Sequence, residues 1–105
     1  MSTIEIGGET QDLCSFEEHW VNQQINRRRK DGLPVHVVVR IQTSGVDLRL
    51  STPGAGGGGG GVYRPPNQRE SEIIDLWNHQ RLNSADFSGG NLIAFLKQVR
   101  RGACS

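Results

Sequence analysis

Six consecutive glycines, residues 56–61, stand behind Pro53-Gly54-Ala55 and cut the chain in two. Such a tract disfavours both helix and strand, because glycine loses the most backbone freedom on ordering and offers no side chain to pack. Regular structure therefore belongs to the residues before it or after it. A glycine-rich loop can cradle phosphates, but a P-loop ends in Lys followed by Ser or Thr. This one ends in Val62-Tyr63-Arg64-Pro65-Pro66. A dinucleotide fold would need a helix to open at the last glycine, and two prolines so close behind oppose it. The tract reads instead as a flexible, glycine-rich internal loop over residues 52–66 that binds nothing.

The remainder suffices for one modest core, so residues 1–105 are expected to form a single domain. Hydrophobic residues make up 34% of the chain, a low share that the glycines explain, since half of the 14 lie between Gly54 and Gly61. A net charge of +1 carries no general nucleic-acid or membrane signature. The cations are ten Arg against two Lys, a bias that genome composition explains more readily than selection for bidentate anion contacts. Cys14 and Cys104 make no disulfide framework. The opening Met1-Ser2-Thr3-Ile4-Glu5-Ile6 is too short and too acidic for a leader, and no apolar stretch has the length of a bilayer span. Two free thiols in a reducing cytoplasm are the expectation, with no membrane contact.

Thr3-Ile4-Glu5-Ile6 alternates and stops at Gly7-Gly8, the pattern of a short edge strand. Ser15-Phe16-Glu17-Glu18 has the spacing of a capping box, and the helix it opens carries Phe16, Trp20, Val21 and Ile25 on one face. Arg27-Arg28-Arg29-Lys30 dress its last turn as the helix dipole favours, and Gly32 and Pro34 end it. Next comes the clearest strand signal: Val35, Val37, Val39 and Ile41 alternate with His36, Val38, Arg40 and Gln42. A second alternation sets Val46, Leu48 and Leu50 against Asp47, Arg49 and Ser51, so residues 35–51 make a hairpin. A four-residue loop places Arg40 opposite Asp47, and a two-residue loop places it opposite Arg49. Both registers turn the same residues inward. Asn67-Gln68-Arg69-Glu70 caps a second helix with Ile73, Ile74, Leu76 and Trp77, and Ser88-Gly89-Gly90-Asn91 leads into a third with Leu92, Phe95, Leu96 and Val99. The order is βαββαα. It predicts an α+β fold, a small antiparallel sheet of about three strands with about three helices on one face.

Chemistry is less legible. His19, His36 and His79 fall on three different elements, and no ligand spacing joins any of them to a cysteine, so no metal site and no cofactor is expected. There is no nucleophile elbow. Cys14 before a helix start would be a nucleophile only if the fold brought His19 or His79 to it, and a small buried thiol beside the Ser15 cap is the commoner situation. The pairs Glu72/Asp75 and Glu17/Glu18 read as solvated carboxylates. What is left is a candidate binding surface of Arg28, Arg29, Lys30, Arg40, Arg49 and Trp77. Guanidinium groups suit phosphates or a partner's carboxylates, and Trp77 would serve if its broad apolar helix face were left uncovered. Against a cationic patch, consecutive helical residues point about 100° apart. The reading is a non-enzymatic cytoplasmic module that binds another protein, with nucleic-acid or phosphate binding through the arginines as the alternative and a small enzyme third. Nothing in the sequence fixes an oligomeric state.

Overall fold

The computed structural model describes residues 1–53, 66–84 and 86–104, so the expected flexible loop lies almost wholly outside the described residues. In chain order the elements are β1 (Ser2–Ile6), β2 (Glu9–Asp12), α1 (Glu18–Lys30), β3 (His36–Ile41), β4 (Val46–Ser51), α2 (Gln68–His79) and α3 (Gly89–Ala103). The strands form one antiparallel sheet in the order β2-β1-β3-β4. The α+β class and the three helices are those expected. The sheet is one strand wider.

The extra strand is β2. Gly7 and Gly8 do not end the sheet but turn it, with φ of +61° and +90°, conformations that glycine adopts without steric cost. The chain then returns along β1, pairing Ile4 with Gln11 and Ile6 with Glu9. β1 is therefore interior, between β2 and β3. Glu-Thr-Gln-Asp contains no apolar residue, so hydropathy alternation cannot reveal it. Its place is set by backbone pairing to β1.

The hairpin takes the four-residue register, with Ile41 opposite Val46 and Arg40 opposite Asp47. A short 3₁₀ turn, Gln42–Ser44, and Gly45 at φ +63° close it. The left-handed glycine is what lets β4 leave in register after the turn.

α1 starts later than the capping pattern predicts. Its N-cap is Glu17, without a side-chain cap bond, and Ser15 instead donates its N–H to the Asp12 carbonyl. Gln11 Oε1 accepts the Glu17 N–H at 3.1 Å, so a β2 side chain holds the residue that opens the helix. Phe16 and Val21 occupy the N′ and N4 positions of a hydrophobic staple, and both are buried. At α2 the expected capping box does form, between Asn67 and Glu70.

Ile4, Ile6, Val37, Val39, Ile41, Val46, Leu48 and Leu50 point from the sheet into one cluster with Trp20, Val21, Ile25, Ile73, Trp77, Leu92, Phe95, Leu96 and Val99 of the helices. The residues on the apolar phase of each element are buried, save Ile74 and Leu76 of α2, which are partly so. Leu13, Leu82 and Phe87 join from the connections. Trp77 and Phe95 meet edge to face at 5.3 Å between ring centroids.

One expectation is overturned outright. Cys14, just beyond β2, and Cys104, at the C-cap of α3, are joined in a disulfide with their Cα atoms 5.6 Å apart. Their separation of 90 residues hid the pairing, which exists only once α3 packs beside α1 and brings the two ends together. The two thiols expected to be free are therefore paired, a state that a reducing compartment does not favour. No helix among the described residues is long and apolar enough to cross a membrane.

Candidate functional site

The arginine run is divided by helical geometry. Arg27 Nη1 stands 3.9 Å from Glu9 Oε2 on β2, an exposed pair. Arg28 Nη2 donates to the Gly7 carbonyl at 3.0 Å, reaching the β1–β2 turn. Arg29 points another way, donating through Nη1 to the Phe87 carbonyl, with its guanidinium 5.0 Å from the Phe87 ring centroid. Lys30 is exposed and makes no ion pair among the described residues. Three of the four cations thus tie the end of α1 to its neighbours. They do not gather into one patch.

Trp77 is not a surface residue. It is 4% exposed and packs on Phe95, because α2 turns its Ile73 and Trp77 stripe toward α3 and the sheet. Ile74 and Leu76, which widen that stripe, are only partly buried against the same cluster.

Arg40 and Arg49 do lie where strand alternation puts them, on the sheet face away from the core and both exposed. The registers place four residues side by side across that face: Asp12, Thr3, Arg40 and Asp47. A neighbouring row runs Thr10, Glu5, Val38 and Arg49. Arg40 Nε is 3.4 Å from Asp47 Oδ1 across the strands. Arg49 has no ion pair among the described residues; Glu5 lies two strands away, about 10 Å at the usual strand spacing. Val38 between them is 8% exposed yet outside the core cluster. Cation and anion alternate over the face, and no single-sign field builds up.

A third row pairs His36 with Ser51, with Nδ1 and Oγ hydrogen-bonded at 2.7 Å. A hydroxyl beside an imidazole has the two members of a nucleophile–base pair, which also needs a third group to orient the base. His36 is exposed and Ser51 half-buried, and among the described residues no carboxylate bonds the ring's other nitrogen. The pair is accounted for as a polar cross-strand contact. Cys14 is in the disulfide and is no nucleophile in this state. His19 and His79 are exposed on α1 and α2. No group of His, Cys, Asp and Glu among the described residues could hold a metal ion.

Thr3, Glu5, Thr10 and Asp12 complete the open face and are absent from the surface the sequence suggests. Thr3 and Glu5 alternate with Ile4 and Ile6, a signal that was present. Thr10 and Asp12 carry none, since β2 shows no alternation. No family model, no curated protein and no solved structure matches this chain.

Proposed function

We propose that the chain is a non-enzymatic binding module that docks another protein on the sheet face opposite its helices. One observation carries this reading. The apolar residues of all three helices pack on one side of a four-stranded sheet, while the other side presents Glu5, Arg40, Asp47 and Arg49 in alternating sign. A surface of mixed charge suits a protein partner of complementary pattern, where charge sets register more than affinity. A polyanion would be met by a field of one sign. The alternative, a nucleic acid or phosphate ligand held by the arginines, is weakened because Arg27, Arg28, Arg29 and Arg40 already have partners within the chain. The reading assigns no cellular compartment.

Capture from cell extract tests it, comparing the wild type with Glu5→Lys/Arg49→Glu and with Lys30→Glu as a control away from the face. The reading holds if a protein is retained by the wild type and the control but lost by the double variant, with the melting temperature unchanged. Retention by all three removes it. Partners released by nuclease would favour the nucleic-acid alternative.

A further inference from the structure

We propose that the Cys14–Cys104 disulfide is a reversible redox latch on the C-terminal turn of α3, opened by a dithiol without unfolding of the chain. Three observations converge on it. The bond lies at the surface: Cys14 is exposed on the connection between β2 and α1, and Cys104 is half-buried. A reductant can therefore reach sulfur without opening the core, and access is one of the factors that set the rate of thiol–disulfide exchange.

The two sides of the bond differ in rigidity. On the Cys14 side, Asp12 Oδ1 accepts the Cys14 N–H at 2.8 Å and the Asp12 carbonyl accepts the Ser15 N–H, so the loop is fastened to the end of β2. On the other side, α3 is anchored as far as Val99. Leu92, Phe95, Leu96 and Val99 have no exposure, Lys97 Nζ stands 3.4 Å from Glu18 Oε2, and Arg69 Nη2 donates to the Val99 carbonyl. Past Val99 the ties are few. Arg101 and Gly102 are exposed, Ala103 is only partly buried, and Arg100 stands over the Phe16 ring at 5.3 Å. Breaking the bond thus frees one helical turn and leaves the rest of the helix docked. Phe16, 6% exposed and two residues from Cys14, is the apolar group that a departing turn uncovers.

The chemistry balances with a dithiol as co-reactant. Its thiolate attacks Cys14 Sγ, forming a mixed disulfide while the electron pair of the old bond leaves with Cys104 Sγ, which takes up a proton. The second thiol of the reductant, as its thiolate, then displaces Cys14 Sγ, which is protonated in turn. Two electrons pass to the protein and the dithiol becomes a disulfide.

The test treats the oxidised full chain with dithiothreitol in the absence of denaturant, with alkylation and mass measurement to count free thiols and hydrogen exchange to locate the change. Complete reduction with far-UV circular dichroism retained is expected, together with roughly tenfold faster exchange at residues 100–104, while Phe95 and Leu96 stay protected to the extent that the remaining global stability allows. Oxidised dithiothreitol should restore the starting profile. Cys14→Ser and Cys104→Ser should each reproduce the reduced profile. The latch is overturned if reduction occurs only as the chain unfolds, if the reduced chain or both variants lose their fold, or if exchange at residues 100–104 stays as slow after reduction as before.

Discussion

Glu70 reaches from the first turn of α2 to the start of β4, where its Oε2 accepts the Asp47 N–H at 3.1 Å while its Oε1 accepts the Asn67 N–H at 2.9 Å. The side chain is fully buried. One carboxylate thus closes the helix cap and covers a backbone donor on the outer edge of β4, a place where an unpaired N–H would invite another strand. Asn67 strengthens the same junction by donating through Nδ2 to the Ser44 and Gly45 carbonyls.

Glu70→Ala is therefore expected to cost about 2–4 kcal/mol, since it leaves two part-buried backbone donors without this partner as well as removing the cap. Asn67→Ala should cost about 1–2 kcal/mol, because its contacts are more exposed. Urea titration of both variants measures this. Equal and small losses would mean that α2 is held by Ile73 and Trp77 alone.

Removing the disulfide should lower stability without abolishing the fold. A bond between residues 90 apart restricts the unfolded chain by about 4–5 kcal/mol in the chain-entropy model. Denaturant unfolding of oxidised and reduced protein gives the difference directly. A change under about 1 kcal/mol would show that the unfolded chain already keeps its ends together.

Arg81 is the one described non-glycine residue with positive φ, +62°. It follows α2, where Leu82 N–H bonds back to the Trp77 carbonyl and Arg81 N–H to the Asn78 carbonyl. This is the left-handed helix-end position that glycine fills most readily. Arg81→Gly should accordingly raise stability by about 0.5–1 kcal/mol, and thermal unfolding suffices to detect it. A loss instead would mean that the Arg81 side chain carries stabilising contacts of its own.

The core was legible from the sequence because burial follows periodicity. Val37, Val39 and Ile41, or Leu92, Phe95, Leu96 and Val99, each repeat at the period of one element and end up on its inner face. What escaped depends on pairings that no local pattern encodes. β2 is polar throughout and is placed by its partner strand, and Cys14 meets Cys104 only through the packing of α3. The capping motif at Asn67 forms and the one at Ser15 does not, because Gln11 from β2 supplies the bond at Glu17 that a local cap would otherwise make. Of the candidate surface, Arg28 and Arg29 make contacts within the chain and Trp77 lies in the core, where the apolar phase of its helix also puts it: charge and aromaticity mark capacity for contact, and local pattern does not say with what.

The last prediction separates a structural arginine run from a binding one. Arg29 combines a hydrogen bond to the Phe87 carbonyl with a guanidinium over the Phe87 ring, and so fastens α1 to the connection before α3. Exposed cation–π contacts contribute about 0.5–1 kcal/mol, and the charge-assisted hydrogen bond adds a similar amount when partly solvated. Arg29→Ala should therefore destabilise by about 1–2 kcal/mol, Arg28→Ala by about 1 kcal/mol through the lost bond to Gly7, and Lys30→Ala by less than about 0.5 kcal/mol. Arg29→Lys should recover little, since an ammonium cannot both stack flat on the ring and reach the carbonyl. Chemical unfolding of the four variants supplies the ranking. If Arg28→Ala and Arg29→Ala are as neutral as Lys30→Ala, these side chains are free in solution, and the cationic end of α1 becomes the surface to probe with anionic ligands.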